Sequence, residues 1–544
     1  MFIKVLFSIL LFFVPLSFAA TEPWAFFVFQ IIVSFIFLNI LLTNKVFQFT
    51  LPALIVNIIF GFTIVVAFIQ LLNHHSITQQ TNFIPFTVSP YNTLKELNTI
   101  FTYMMFFVIV TQLFYRLKEI KKLLYVVLFA SSLVMIIGLC FPKGEYIKFF
   151  LGPGSFGNFG PFTNRNNAGI FLSMSFFISL SFVFYNFLKY PKYLFYNKNK
   201  KNKFVTLQII NITLSLLFAI SIIVTRSRGA MFATYITLFI FLSLFVYHFS
   251  KTTWQKTYRF LIIFVLLVTS FFAIYKNMND INDYRKRFGG LSEKERLSLY
   301  DMSFDILKDY PLTGIGFASF PLVFDKYFEG KTAAYPEYLH SDWLELLLDI
   351  GYPMYIIILL LISTILFIFL RRIKFLPYKK KILFIGVFSS CCSICIGSII
   401  DFHLHIPADA ILFLIFLAIL CAISFYKGEK QFKFNNSLFF KFVSCLLICC
   451  FIFFSYRNTL AWKYYLFSKN MSKYQEMQYL NKAFDLVHNP KYFENSIIVL
   501  HNYLIKKKDV TEEEKELLHS MAYEYIKQYP YNNKISKVFL QSNQ

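Results

Sequence analysis

Charged residues are scarce in this sequence: Asp, Glu, Lys and Arg make up 15% of its 544 residues. A soluble globular chain carries about 25% charged residues and about 45 to 50% apolar residues. Here apolar residues reach 57%, and phenylalanine alone occurs 73 times. Too few polar side chains remain to cover a water-exposed surface, so the composition excludes a set of soluble domains and predicts a membrane protein.

The sequence also lacks nucleotide-binding loops. It contains no GK[ST] phosphate loop, and Gly314-Ile315-Gly316 lacks the third glycine and the preceding parallel strand of a dinucleotide site. The net charge of +24 would suggest nucleic-acid binding in a soluble protein, but in a membrane protein basic residues are first sorted by membrane side. We therefore expect no use of ATP and no nucleic-acid partner. Any group transferred outside the cytoplasm must already carry its leaving group.

The eight cysteines provide no disulfide framework for an outside domain, because all of them fall within long apolar runs. Cys391, Cys392 and Cys395 lie close together on one such run. At membrane depth these side chains act as small, soft packing groups more readily than as metal ligands. We assign no metal and no cofactor.

Long apolar runs are abundant. A helix of about 20 residues crosses roughly 30 Å of hydrocarbon, and the sequence contains 13 candidate runs. They lie at about 3–19, 24–43, 51–72, 99–114, 123–141, 166–188, 205–224, 229–249, 260–275, 351–370, 382–400, 408–426 and 438–455. The sequence therefore predicts an all-α polytopic membrane protein with about 13 transmembrane helices.

The distribution of Lys and Arg predicts the orientation of these helices. With a cytoplasmic amino terminus, the inside tail and loops hold 24 Lys and Arg residues, and the short outside loops hold six. The positive-inside rule then places the carboxy terminus outside. The first run can alternatively be a cleaved signal peptide that ends near Ala20, which leaves the remaining orientation unchanged.

Three outside regions are longer than simple connectors, and we expect function there. Residues 142–165 are rich in Gly and Pro, which indicates turns or re-entrant backbone. Residues 276–350 form a large loop in which the apolar spacing over Ser292–Tyr310 predicts an amphipathic helix.

The third region, 456–544, has helical spacing throughout. Breaks at Asn489-Pro490 and near Asp509 predict stacked, repeat-like helix pairs. The chain thus divides into a transmembrane domain, 1–455, and an outside helical domain, 456–544.

Arginines occur in the outside loops, where basic residues are usually depleted. Arg226 and Arg228 lie between two spans that leave almost no loop, and Arg165 follows Asn164 at the start of another span. One interpretation is that these side chains snorkel at the membrane interface. The other is that they face a cavity and clamp a phosphate or pyrophosphate bidentately. Their position on the basic-poor side favours an anionic, membrane-borne ligand.

His340 stands at the predicted start of an apolar helix. A lone histidine is often structural. Here Asp342 and Glu345 follow it closely, and a carboxylate can orient the ring and keep it competent as a base near neutral pH. His340 is therefore a candidate catalytic base.

A second polar turn lies at Asp401–Pro407, where His403 and His405 alternate between two spans. An isolated metal site is one interpretation. A polar turn at a cavity mouth, with Pro407 opening the next helix, fits the pattern better.

Five short polar segments occur in a characteristic order. They are Gly160–Asn166 (GPFTNRN), Thr225–Ala230 (TRSRGA), Tyr310–Gly316 (YPLTGIG) with Phe320, His340–Glu345 (HSDWLE), and Asp401-Phe402 with Ile406-Pro407. In content and order they resemble the O-antigen ligase and polymerase superfamily of bacterial polytopic glycosyltransferases. The resemblance covers roughly 24–426 and says little about the C-terminal helical domain.

The resemblance implies a metal-independent glycosyltransferase at the periplasmic face of the bacterial inner membrane. Its donor would be a glycan on undecaprenyl pyrophosphate, and the lipid pyrophosphate would be the leaving group. We predict catalytic roles for His340, Arg226 and Arg228. We predict substrate binding by Arg165, Asn164, Asp342, Glu345 and Asp401.

The acceptor determines the particular reaction. Ligases of this family pass glycan to lipid A-core, which is the leading expectation for this chain. Protein O-glycosylation and chain polymerisation are the enzymatic alternatives that relatives in the family imply. The added outside domain bears on the first of them, because such a domain can hold a protein acceptor. A transporter or flippase of lipid-linked glycan is an alternative of another class, in which His340 would be structural.

Overall fold

The structure is a computed structural model. It describes residues 2–75, 83–142, 145–147, 159–189, 198–250, 259, 293–328, 336–425, 429–507 and 509–542. The first eight of its named helices are α1 Phe2–Leu16, α2 Pro23–Thr43, α3 Leu51–Leu72, α4 Pro90–Leu113, α5 Leu117–Cys140, α6 Arg165–Lys189, α7 Lys198–Val224 and α8 Arg228–Phe249. The following five are α9 Glu293–Asp309, α10 Phe320–Tyr327, α11 Asp342–Arg372, α12 Tyr378–Gly397 and α13 Pro407–Ile423. The last five are α14 Leu438–Ser468, α15 Lys473–Val487, α16 Pro490–Lys506, α17 Glu512–Gln528 and α18 Asn533–Ser542.

The all-α polytopic architecture is confirmed. Among the described residues, 10 helices are long and apolar enough to cross a membrane. Two more predicted spans form the shorter apolar helices α1, of 15 residues, and α13, of 17 residues. The predicted run at about 260–275 lies outside the described residues, so the number of 13 spans stays a prediction.

Local sequence signals explain where several helices begin. Proline occupies the first turn of α2, α3, α4 and α13, where its missing N–H costs no helical hydrogen bond. Side-chain caps start α8 and α11. Ser227 Oγ accepts from the Ala230 N–H at 3.2 Å, and Ser341 Oγ accepts from the Leu344 N–H at 3.3 Å.

The polar connections gather at the two ends of the helix bundle, as the predicted orientation requires. At one end the strand β1, Val46–Phe49, pairs antiparallel with β2, Phe432–Asn435. At the other end the turns before α6, α8, α11 and α13 line a common cavity. The described parts of the loops predicted to lie outside therefore meet at one end, although their periplasmic location stays a prediction.

The segment that follows α9 docks against a break in α11. Gly351 has a φ of +73° and interrupts that helix, which leaves backbone groups for other partners. The Ile315 N–H donates to the Leu348 carbonyl at 2.8 Å, and the Tyr352 N–H donates to the Pro311 carbonyl at 2.8 Å. A Cβ at Gly351 would lie 2.6 Å from the Leu312 carbonyl carbon, so this close approach requires glycine.

The C-terminal helices follow the predicted breaks: α15 ends at Val487, α16 runs from Pro490 to Lys506, and α17 begins at Glu512. The long helix α14 continues through the expected domain boundary at residue 455 and joins these helices to the membrane part. Their apolar faces share a core with α9 and α10, in which Leu299 and Phe324 lie with Met477 and Leu500. The helix predicted over Ser292–Tyr310 is confirmed as α9.

Candidate functional site

The candidate site is a cavity of about 1650 Å³ at the end of the bundle where the predicted outside loops meet. Pockets for drug-sized ligands usually measure about 300 to 1,000 Å³, so this one can take a larger substrate. Helices α6, α8, α11 and α13 all begin at or beside the cavity. The positive ends of several helix dipoles are therefore gathered around it.

His340 lies at this cavity, in the turn that precedes α11. Its Nδ1 is 3.0 Å from Asp401 Oδ1, and the Tyr300 hydroxyl donates to its backbone carbonyl at 2.7 Å. The Phe402 ring packs edge-on against the imidazole, with ring centroids 4.9 Å apart. The φ of His340 is +59°, in the left-handed region that few side chains occupy. Hydrogen bonding and packing thus hold the ring in one orientation.

Asp401 is the carboxylate that orients His340. It is almost fully buried, and its side chain also accepts hydrogen bonds from Asn166 Nδ2 and from the Phe402 N–H. Arg296 Nη2 lies 3.8 Å from Asp401 Oδ2. Burial raises the pKa of Asp401, but the hydrogen bond from His340 and the positive charges of His403 and Arg296 outweigh it and lower the pKa to about 2. Asp401 is therefore ionised at neutral pH.

The side chain of Asp342 forms its hydrogen bonds with the turn that carries Asp401, and not with His340. Its Oδ2 accepts from Ser398 Oγ at 2.5 Å and from the N–H groups of His403 and Leu404 at 2.9 and 3.0 Å. Its Oδ1 is 2.9 Å from Nδ1 of His405. One buried carboxylate at the first position of α11 thus fixes the polar turn between α12 and α13.

Glu345 also contacts groups other than His340. Its Oε2 accepts from the Leu339 N–H at 3.0 Å, and its Oε1 lies 3.6 Å from His405 Nε2. Burial lowers the pKa of His405, but the charge of Glu345 and the hydrogen bond with Asp342 outweigh it and raise the pKa to about 10. His405 is therefore a partly buried imidazolium between Asp342 and Glu345.

The predicted arginines converge on the same cavity. Arg165 begins α6, Arg226 stands in the turn before α8 with a φ of +54°, and Arg228 begins α8. Asn164 Oδ1 accepts from the Asn166 N–H at 2.8 Å and shapes the turn that presents Arg165. Three predicted positive charges therefore sit at two helix amino termini, an arrangement suited to an anion.

A fourth cavity arginine, Arg296, was not predicted. It lies on α9, and its Nη1 donates to the Ile400 carbonyl at 3.3 Å. Arg165 is within electrostatic reach of Arg228, Arg296 and Arg226, so the four guanidiniums form one positive region. The apolar spacing predicts the buried face of α9, but Arg296 belongs to none of the five sequence motifs and is therefore not predicted as a site residue.

The structure thus brings His340, the three predicted arginines, Asn164 and His405 to one cavity, with Asp401 directly behind His340. It differs from the sequence interpretation in the placement of the carboxylates. Asp342, Glu345 and Asp401, which were predicted to bind substrate, do not line this cavity. The carboxylates near His340 in sequence support the neighbouring turn, whereas the carboxylate that contacts the imidazole lies 61 positions away. Pro407 opens α13, as predicted.

The turn at His403, for which a metal site was the less favoured alternative, places the histidine beside an amide and a carboxylate. His403 Nδ1 is 2.8 Å from Asn167 Oδ1 and 3.7 Å from Asp409 Oδ2. Within the part of the chain that the structure describes, no group of three or more His, Cys, Asp or Glu side chains has the arrangement of a metal site.

Fold and site define an all-α polytopic membrane protein with a histidine and an arginine cluster in one end cavity. Residues 213–359 match the family described as O-antigen ligase. This match confirms the predicted resemblance to the O-antigen ligase and polymerase superfamily. The matched segment includes Arg226, Arg228, Arg296 and His340, whereas Arg165 and Asp401 lie beyond it. No curated protein matches the chain.

The family implies, in general terms, a glycosyltransferase-like membrane enzyme of the O-antigen ligase or polymerase type. It suggests a lipid-linked glycan and an acceptor as substrates.

Proposed function

We propose that this protein transfers an oligo- or polysaccharide from undecaprenyl pyrophosphate to lipid A-core at the periplasmic face of the bacterial inner membrane. The observation that carries the proposal is the placement of the His340–Asp401 pair and four arginines around one cavity. A base for a hydroxyl nucleophile and a cationic site for a pyrophosphate leaving group are the two elements that this transfer needs.

His340 is the proposed base. Because an ionised carboxylate only accepts hydrogen bonds, the Nδ1 that faces Asp401 carries the proton, and Nε2 is left as the basic nitrogen. Nε2 takes the proton of the acceptor hydroxyl as its oxygen bonds to the anomeric carbon. The bond between that carbon and the pyrophosphate oxygen breaks, and the electron pair leaves with the lipid pyrophosphate. Asp401 stabilises the imidazolium that forms.

Arg226 and Arg228 are proposed to bind the pyrophosphate, with Arg165 and Arg296 adding positive charge around it. Guanidinium groups match phosphate oxygens bidentately and keep their charge at all physiological pH values. Charge that develops on the leaving group in the transition state meets a prearranged positive site, which lowers the barrier. In this mechanism Asn164, Asp342 and Glu345 position the arginine and histidine turns. The proposed reaction needs no metal ion, and a chelator should leave its rate unchanged.

Lipid A-core is the leading acceptor. The alternative acceptors are a Ser or Thr of a protein and the end of a growing glycan. The observation that supports them is that the C-terminal helices line part of the cavity. All three acceptors offer a hydroxyl to the same base.

A transfer assay tests the proposal. Purified protein is incubated with undecaprenyl-pyrophosphate-linked glycan and, in separate reactions, lipid A-core, a candidate protein, and glycan alone. We expect the mass of lipid A-core to increase by one glycan. An increase confined to the protein or to the glycan would reassign the acceptor. Movement of intact donor across vesicles, with no product in any reaction, would contradict a transferase and indicate transport.

A further inference from the structure

The C-terminal helices form one wall of the cavity, and the proposed function assigns that wall no role. It consists of the outer part of α14 and the facing turns of α16 and α18, and we call it the C-terminal wall. Its cavity-lining side chains include Asn458, Trp462, Tyr465, Asn489, Asn495 and Asn532.

The C-terminal wall contacts α10 and the segment that leads to His340. Lys491 Nζ is 2.5 Å from Oε1 of Glu337, three residues before His340. The Asn533 N–H donates to Asp325 Oδ2 at 3.1 Å. The exposed Lys491–Glu337 pair adds little to this attachment, and the shared apolar core, which includes Leu339 and Leu500, provides most of it. A substrate bound by the wall therefore keeps a constant relation to His340.

The wall lies beyond the predicted membrane depth. The predicted span of α14 ends at 455, and the helix continues to Ser468. With a rise of about 1.5 Å per residue, Trp462 lies roughly 10 Å past that point. The spacing of Asn458, Trp462 and Tyr465 puts them on one helical face, and all three line the cavity. A lipid chain stays at membrane depth, whereas a sugar attached to its pyrophosphate extends to this level.

The wall combines aromatic and amide side chains with the charged residues Lys491, Glu494 and Lys534, which also line the cavity. These charges are paired: Lys491 with Glu337, and Lys534 with Glu494 at 3.6 Å. Paired charges give little attraction for a phosphate or for a charged peptide. Aromatic faces pack against the apolar C–H faces of sugar rings, and amides both donate to and accept from sugar hydroxyls.

Resting on the proposed function, we propose that the C-terminal wall is a saccharide-binding subsite. It holds the sugar rings nearest the reacting bond, with Trp462 as the stacking platform and Asn495 among its hydrogen-bonding groups. The sugar comes either from the donor glycan or from a saccharide acceptor, and both sources share the chemistry that the wall recognises.

Binding to the full-length protein tests the proposal with three probes. Undecaprenyl pyrophosphate carries no sugar, so its binding tests the arginine site and not the wall. The donor glycan, released from its lipid by mild acid, and the free core oligosaccharide report on the wall from the two possible sources. We expect Trp462→Ala and Asn495→Ala each to weaken binding of at least one free saccharide about fivefold. Binding of undecaprenyl pyrophosphate should not change.

Matched variants on the same helices serve as controls. Phe467→Ala removes an exposed ring from α14, and Asn502→Ala removes an exposed amide from α16, and neither residue lines the cavity. Both should bind every probe normally. Trp462→Phe keeps an aromatic face and should retain most of the binding, which separates loss of stacking from loss of folding.

The outcomes distinguish the two proposals. Weaker binding of the donor glycan supports a donor subsite, and weaker binding of the core oligosaccharide supports an acceptor subsite. Folded Trp462→Ala and Asn495→Ala proteins that bind both saccharides normally would overturn the inference. An Arg226→Lys variant that binds undecaprenyl pyrophosphate normally would instead contradict the proposed donor site and leave the wall untouched.

Discussion

The two ends of the helix bundle differ in how deeply they bury individual carboxylates. At the end with the β1–β2 pair, Lys4 Nζ meets Glu119 Oε2 at 2.8 Å, and these side chains are 42% and 26% exposed. At the cavity end, Asp401 and Glu345 are 4% and 1% exposed and belong to shared hydrogen-bond networks. An exposed pair contributes little free energy, whereas buried charges are costly and mark places where the arrangement of charge has a use.

The same contrast extends to the backbone. His340 and Arg226, at the cavity end, both adopt left-handed φ values. Strained conformations of this kind persist only when the surrounding structure fixes them, and they concentrate at functional sites. The comparison therefore predicts that substitutions at the cavity end abolish activity, while similar substitutions at the β1–β2 end do little.

Membrane orientation gives the largest expected difference, because its readout is all or none. A reporter that is active only outside the cytoplasm should be active when fused after Gln544 and silent when placed near Lys200. The physical basis is the excess of Lys and Arg in the loops on the Lys200 side. The reverse pattern would put the cavity in the cytoplasm and remove the proposed donor from reach.

Loss of the base should have the next largest effect. Removing a positioned general base typically costs about 10²- to 10⁴-fold, so His340→Ala and His340→Gln should lose most transfer activity. His340→Asn should be equally inactive but better folded, since asparagine tolerates the left-handed conformation at this position. Single-turnover transfer from lipid-linked donor, normalised to folded protein, measures the effect.

Lys4→Ala is the matched control, because it removes a charged side chain at the β1–β2 end and should leave transfer unchanged. A folded His340→Asn enzyme within about threefold of wild type would rule out the assignment of a base. Activity that falls only in step with thermal stability would indicate that His340 shapes the loop.

The arginines should show a smaller but selective effect. Arg226→Lys and Arg228→Lys keep the positive charge and lose the planar fork, so activity should fall about 10- to 100-fold at normal expression. Arg116→Lys, an exposed position near the β1–β2 end, should be neutral. Near-normal transfer by both cavity variants would make these residues interfacial anchors and leave Arg165 or Arg296 as the pyrophosphate ligand.

The fold is more predictable from the sequence than the contacts within the site. Long apolar runs determine helices by physical necessity in a bilayer, because the backbone must satisfy its own hydrogen bonds there. The turns that carry His340, Arg226 and Arg165 were predicted for the same reason: polar residues between spans have to lie at an end of the bundle.

The pairing between turns was not predictable. Asp342 and Glu345 lie near His340 in sequence, but helix α11 carries them towards the turn before α13. Asp401 approaches the imidazole because the turn between α12 and α13 is hydrogen-bonded to Asp342 at the start of α11, a long-range arrangement that no local pattern encodes. Arg296 was missed for a similar reason, since a single arginine on an amphipathic helix gives no sign of which surface it will face.

The partly buried imidazolium of His405 leads to the smallest expected effect, a pH dependence of stability. The pKa of His405 rises from an ordinary 6.5 to about 10 in the folded protein. A raised pKa contributes stability that is fully present below pH 6.5 and is lost as pH rises through about 10. The melting temperature of purified wild-type protein should therefore fall by a few degrees over this interval beyond the fall seen in His405→Gln, because that variant has no charge to lose.

Other groups titrate near pH 10 in both proteins, so the contribution of His405 is measured as the difference between the two curves. His248→Gln, at the β1–β2 end, should follow the wild-type curve. Parallel curves for wild type and His405→Gln would show that the charge between Asp342 and Glu345 contributes no stability, and the contrast between the two ends would then rest on the catalytic residues alone.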